Sequence, residues 1–277
     1  MSVIGDDPRI RLQVGLLGRL EARTADGRPI RLPGRHAQAL FALLILARRA
    51  RSREAIATDL WPDGDGGSAG SLRQALWLVR QGLMEAGVEP DRLLDIDAET
   101  VGIRMEACID LDVTAFERCL VDAACGAEAA VELYHGDLLE GLGHECFAAE
   151  RERLSDRFED ALAIVAQGRL AAGDPVAAHA AADRLLGRDP LREEAHAVVI
   201  AVHGLLGTRS QVVRQYRRLQ EVLGRELGET PLPDTEAMYR QALARTLERA
   251  RERAAAIEPP APTSTLVIVG HRPSDMN

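Results

Sequence analysis

The sequence predicts a mainly α protein in two parts, an N-terminal α+β module followed by an all-α helical repeat domain. Three observations predict it. Apolar residues alternate with period two over residues 10–16 and again around 93–105, and these runs bracket three stretches of helical period. From Thr114 to Arg253 the period stays helical. Within that span Gly173-Asp-Pro175 and Gly207-Thr-Arg209 precede similar helices 34 residues apart, the period of tetratricopeptide helix pairs.

The elements follow in order. Ile10, Leu12, Val14 and Leu16 alternate with polar or small residues, Leu20–Thr24 continues, and Asp26-Gly27 marks a hairpin turn before Pro29–Leu32. Residues 34–49 then place Leu40, Phe41, Leu44 and Ala47 on one apolar stripe. Ser52 is positioned to cap a short second helix carrying Ile56 and Leu60, which Trp61-Pro62-Asp63 ends. A Gly-rich loop from Gly64 to Gly70 leads to a third helix, Ser71 to Ala86, with Leu72, Ala75, Leu76, Val79 and Leu83 inward. Its opposite face shows Arg73, Gln74, Trp77, Arg80, Gln81 and Met84. Leu93–Ile96 and Val101–Met105 form a second hairpin. A β-meander, three helices and a hairpin in this order make a winged helix-turn-helix.

The boundaries read as 1–106 for this module and 114–253 for the helical domain, with 107–114 as a connector and 254–277 as a Pro-rich tail or linker. The tail carries one more strand-like run, Leu266–Val269. Helices are expected at about 147–172, 175–187, 191–206, 209–224 and 233–252. Asp189-Pro190 and Pro231-Leu-Pro233 mark breaks between them.

Composition excludes several function classes. All 34 basic side chains are arginine, so a Walker A loop, a kinase strand lysine and a Schiff-base lysine are absent. There is no nucleophile elbow and no HExxH, and Gly64-Asp-Gly-Gly67 is not a dinucleotide loop, so neither catalysis nor a cofactor is expected. Cys108, Cys119, Cys125 and Cys146 form no CxxC pair and read as free thiols. His135, His144 and Cys146 fit no structural zinc spacing, so no metal is expected. No apolar run approaches 18 residues and no signal peptide is visible, so no membrane contact and a cytoplasmic location are expected.

The net charge of −9 is uneven. Residues 1–106 are neutral overall, yet residues 9–53 hold 11 Arg against two acids, while 107–277 carry the whole excess of negative charge. A basic patch attracts a polyanion, but the chain as a whole is no indiscriminate nucleic-acid binder.

Particular stretches carry a family resemblance. They are Leu16-Leu17-Gly18, Gly34-Arg35, Leu60-Trp61-Pro62-Asp63 and Ser71-Leu-Arg-Gln-Ala-Leu76 in the first module. In the second they are Leu133-Tyr134, Gly136-Asp-Leu-Leu139, Ala149-Glu150-Arg151, Asp189-Pro190-Leu191-Arg192-Glu193 and Gln215-Tyr216-Arg217. Over roughly residues 9–250 the chain resembles the SARP family of bacterial transcriptional activators, which join an OmpR-type winged helix to a tetratricopeptide-like bacterial transcriptional activation domain. The resemblance implies a sequence-specific DNA-binding activator of promoter repeats. It places the third helix in the major groove of double-stranded DNA, with Ser71, Arg73, Gln74, Trp77, Arg80 and Gln81 facing it. It makes the loop before that helix, with Asp63, Asp65 and Ser68, the candidate contact to RNA polymerase. It also implies a homodimer on direct repeats.

Two readings stay open on the residues themselves. Arg fits guanine edges and Gln fits adenine edges, which suits readout by this face. Alternatively Trp77, Leu78 and the acidic wing (Asp95, Asp97, Glu99) make a degenerate winged helix that serves as a protein-interaction adaptor. Arg48, Arg49, Arg51 and Arg53 read either as phosphate contacts or as a solvated turn. His179, His196 and His203 read as packing or surface residues, and 145–157 as a salt-bridged helix face.

Overall fold

The computed structural model describes residues 11–62, 68–122 and 126–257. The first residues form β1 (Arg11–Gly15) and β2 (Glu21–Thr24), an antiparallel pair with Leu12 opposite Thr24 and Val14 opposite Ala22. Three helices follow, α1 (Arg35–Ala47), α2 (Arg53–Leu60) and α3 (Ser68–Glu85), with a two-residue strand β3 (Arg51–Ser52) between the first two. Ser52 caps α2 as the sequence suggests, accepting from the Ala55 amide at 3.1 Å. A short α4 (Pro90–Leu93) leads into the hairpin β4 (Leu94–Ile96) and β5 (Thr100–Ile103), and β3 adds to it to give the order β3-β5-β4. Leu40, Phe41, Leu44, Ile45, Ile56 and Leu83 are fully buried in the core of this module.

The segment expected to be a connector is a strand. β6 (Cys108–Leu111) pairs parallel to β1, with Leu12 opposite Ile109 and Val14 opposite Leu111, giving the sheet order β2-β1-β6. Four residues are too short for a period to show, and the pairing is non-local, so local pattern carries no signal for it.

Helices fill the remainder: α5 (Asp112–Val121), α6 (Gly126–Leu133), a 3-10 turn at Glu145–Phe147, α7 (Ala148–Ala171), α8 (Pro175–Arg188), α9 (Glu193–Leu206), α10 (Arg209–Glu226) and α11 (Pro233–Ile257). The mainly α fold, a winged helix followed by a tetratricopeptide-like helical domain, is therefore the observed one. Gly173 and Gly207, the marks of the 34-residue repeat, both take the left-handed conformation that ends a helix, with φ of 79° and 73°. Asp174 then caps α8 through the Ala177 amide at 3.0 Å, with Pro175 in the first turn.

The chain divides into two compact units, Met1–Ala195 and His196–Asn277. In the first, Tyr134 stacks on Phe158 at 4.1 Å with Phe116 beside it, and the Arg184 guanidinium lies 4.8 Å from the Phe158 ring centre. In the second, Ile200, Val212 and Ala242 form a core and Tyr216 stacks on Tyr239 at 4.0 Å. A Cβ on Gly204 would meet the backbone of Ala242, so only glycine lets α9 and α11 approach so closely there.

Within the first unit the winged helix and the first helices of the following domain are tied through residues 16–18. The Asp112 carboxylate, at the start of α5, accepts from the amides of Leu16 at 2.8 Å, Leu17 at 2.8 Å and Val113 at 2.7 Å. On the other side Gly18 N donates to Asp137 O, Leu139 N to Leu16 O and Glu140 N to Gly18 O, all between 2.8 and 3.1 Å. Burial pushes the Asp112 carboxyl above its ordinary value, with the three amides pulling the other way.

Cys119 is disulfide-bonded, so the expectation of free thiols fails there, while Cys108 and Cys146 are free. Burial pushes the Cys146 thiol up to about 11, which keeps it protonated and unreactive at neutral pH. Cys125 and the Leu266–Val269 run lie outside the described residues.

Replacing Asp112 with Ala leaves the buried Leu16 and Leu17 amides without an acceptor. Such a loss costs roughly 1–3 kcal/mol per group. Urea unfolding of Asp112→Ala should show a destabilisation of about 3 kcal/mol, and unchanged stability would contradict the tie.

Candidate nucleic-acid interface

The face of interest is the outer side of α3. Leu72, Ala75, Leu76, Val79 and Leu83 are buried as the spacing of three and four predicts, which fixes the rotation of the helix. Gly82 sets its depth: a Cβ there would run into the carbonyl oxygen of Arg31, so α3 lies directly on the segment after β2. Gln38 holds that segment from α1, donating to Leu32 O at 3.0 Å.

With the helix so placed, Arg73, Gln74 and Trp77 are exposed, Trp77 by 60%, and Met84 by 51% one turn beyond Gln81. Arg80 and Gln81 are half-buried. Arg80 differs from Arg73 in that its Nη1 donates to Asp91 Oδ1 of α4 at 2.7 Å. The Arg80 guanidinium in turn holds the Asp91 carboxyl below its usual range. Ser71 stands one turn inside the helix rather than at its start, because Ser68-Ala-Gly70 joins α3. The helix N-terminus expected at Ser71 therefore lies near Ser68. Asp63 and Asp65 fall outside the described residues, and Ser68 opens α3 with its side chain outside them.

The wing closes beside this face. Its acids are used internally. Asp97 accepts from the Glu99 and Thr100 amides at 2.7 and 2.6 Å and from Thr100 Oγ1 at 2.9 Å, which shapes the turn and holds its carboxyl below the ordinary value. Asp95 pairs with Arg104 at 3.3 Å, and Arg104 Nε donates to Asp91 O at 2.6 Å. The acids that stood against a nucleic-acid surface are thus partly spent on turn geometry and on Arg104.

In the basic run after α1, Arg49 is exposed and the other three arginines have partners within the module. Arg48 donates to Ile109 O at 3.0 Å, Arg51 pairs with Asp59 at 2.7 Å, and Arg53 donates through Nε and Nη2 to Asp97 O at 3.1 and 2.9 Å. What sequence reasoning missed is the bond that Arg53 makes: it fastens the wing tip to the start of α2. Nothing local marks it, since its acceptor is a backbone carbonyl 44 residues away. Arg53 and Arg73 line one groove with Thr58, Trp61 and Ala98, bounded by α2, α3 and the wing turn.

The other candidate sites resolve into structure. His179 pairs with Asp183 at 3.0 Å, His196 Nδ1 meets Gln215 Nε2 at 2.9 Å, and His203 Nδ1 meets Thr208 Oγ1 at 3.2 Å. The charged stretch after residue 145 is a salt-bridged face, with Arg153 at 2.6 Å from Glu150 and 2.7 Å from Glu117. Among the described residues no cluster of three or more His, Cys, Asp or Glu is arranged to hold a metal, and no helix is long and apolar enough to cross a membrane.

Widening α3 at its contact tests this placement. Gly82→Ala forces the helix off residues 31–32, and overpacking of this kind costs about 1–3 kcal/mol. Thermal unfolding should show a lowered midpoint for Gly82→Ala, and an unchanged or raised one for the exposed Gly70→Ala, which has open space at its Cβ position in the helix.

Comparisons with known proteins agree with this architecture. The profile of the bacterial transcriptional activator domain matches residues 111–243, from the end of β6 into α11. The structure of Mycobacterium tuberculosis EmbR in complex with a low-affinity phosphopeptide superposes with a TM-score of 0.67 at 23% identity, covering 90% of this chain and 70% of that one. None of the curated proteins matches the sequence. A winged helix running straight into a region that matches the bacterial transcriptional activator domain is thus the architecture of this chain, and it shares that fold with EmbR.

Proposed function

We propose that the chain is a sequence-specific DNA-binding activator that lays the outer face of α3 in the major groove and helps recruit RNA polymerase. The observation that carries this reading is the state of that face: Arg73, Gln74 and Trp77 point outward on a helix whose inner side is fully packed. Arg73 and Gln74, near the N-terminal end of α3, suit bidentate contacts to guanine and adenine edges. Arg80, already hydrogen-bonded to Asp91, suits a phosphate, which it meets as a charge without giving up that partner. Gln81 and Ser71 flank these positions. The wing turn of Asp97–Thr100, fastened by Arg53, stands over the adjacent backbone.

In this reading residues 1–106 choose the promoter site and residues 114–253 act as the activation domain, with 254–277 as a tail. Asp63, Asp65 and Ser68 are the polymerase contacts, and two copies bind in tandem on direct repeats. The competing adaptor reading rests on the exposed Trp77 and Met84, which also suit a protein surface.

Titration onto duplexes recovered from a random-sequence pool, at two salt concentrations, separates them. Binding should weaken steeply with salt. Arg73→Ala and Gln74→Ala should each cost about 1–3 kcal/mol on the recovered site and relax its sequence preference. Arg80→Ala should weaken all duplexes alike and reduce the salt slope by about one. If no duplex is enriched and binding is independent of these residues, the adaptor reading takes its place.

A further inference from the structure

The junction between α1, the end of α2 and the 3-10 turn carries a cluster of rings that the DNA reading does not use. His36 of α1 lies 5.2 Å from the Trp61 ring and 5.6 Å from the His144 ring, centre to centre. His144 in turn meets Phe147 edge-on at 6.3 Å. His36 and Trp61 belong to the winged helix, and His144 and Phe147 to the helical domain behind it, so this stack is one of the contacts between them. The His144 Nδ1 atom is buried and has no hydrogen-bond partner among the described residues.

Among the described residues no carboxylate pairs with His144. From α1 come His36 and Arg35, whose Nη2 donates to Gly141 O at 2.9 Å. From α2 comes Asp59, held by Arg51 at 2.7 Å. From the 3-10 turn come the exposed Glu145 and the protonated Cys146 thiol, and from α7 comes Arg151, which donates to Leu138 O and Leu142 O at 2.9 and 3.0 Å. A proton on Nδ1 therefore creates a donor with no acceptor among the described residues, next to a second imidazole and a guanidinium.

We propose that the His36–His144 contact is a proton-sensitive latch between the winged helix and the helical domain, closed with the His144 ring neutral and opened as that ring gains charge. Burial, with His36 and Arg35 adding to it, holds His144 below its ordinary value of 6.5. The folded state then binds fewer protons at this ring than the unfolded state does. The latch therefore contributes its full stability above pH 6.5 and loses it as the pH falls below that value.

Proton NMR of the imidazoles and amide hydrogen exchange on the full chain test this. His144 should titrate below 6.5, and His36→Gln should move its midpoint upward by removing the neighbouring charge. Corrected for intrinsic rates, exchange of amides 141–147 should rise as the pH falls, by at most about tenfold per pH unit for a single proton. That dependence should flatten in His144→Gln, while α8 amides, in the same unit as the latch, stay protected in both variants and report an intact fold. A His144 midpoint at or above 6.5, or a pH dependence unchanged in His144→Gln, would overturn the latch. If His144→Gln fails to fold, the exposed His36→Gln decides alone, through the midpoint of His144.

Discussion

The structure turns on the backbone of Leu16, Leu17 and Gly18. One side of this short segment is taken by the Asp112 carboxylate and the other by the loop 137–140. Asp112 opens the first helix of the bacterial transcriptional activator domain, and loop 137–140 follows the second, so the edge of the β1 sheet is completed by a different module. The parallel β1–β6 pair adds to the same joint. Arg151 braces it from behind through Leu138 and Leu142, and Arg188 does so through Asp137 at 2.7 Å. The bonds of Asp112 and Arg151 are half-buried, and breaking one leaves a polar group poorly hydrated, whereas the Arg188 bond is exposed. The winged helix and the following four helices consequently behave as one body, and the outer face of α3 has a fixed place on it.

That rigidity bears on function. Under the proposed function, a DNA-reading α3 is fastened to the helical domain through a joint rather than through a linker. Arg53 and Asp97 do the same on a smaller scale, holding the wing turn against α2. The electrostatics follow from these ties. Many of the arginines in the basic N-terminal stretch are engaged with carbonyls or acids, so the surface offered to a polyanion is narrower than the raw charge suggests.

Much of the fold was legible in the sequence because the elements are long and strongly periodic. Helices α7 to α11 fall where the apolar spacing and the Gly-Asp-Pro and Asp-Pro breaks put them, and Ser52 caps α2. The unreadable parts are non-local. β6 is four residues long and exists because β1 lies alongside it. The start of α3 lies at Ser68, where a Gly-containing stretch gave no helical signal in the sequence. On the candidate site, the outward set of Arg73, Gln74 and Trp77 was legible from the 3.6-residue period alone. The pairing of Arg80 with Asp91, and the use of Asp95 and Asp97 inside the wing, depend on partners brought together by the hairpin and could not be read from spacing.

Hydrogen exchange of the free chain against the chain saturated with a selected duplex tests the central claim most directly. The account predicts new protection confined to α3 between residues 68 and 81 and to the wing turn at 97–100, with α5 to α8 unchanged. Protection that spares α3 and appears instead on the helical domain would contradict it.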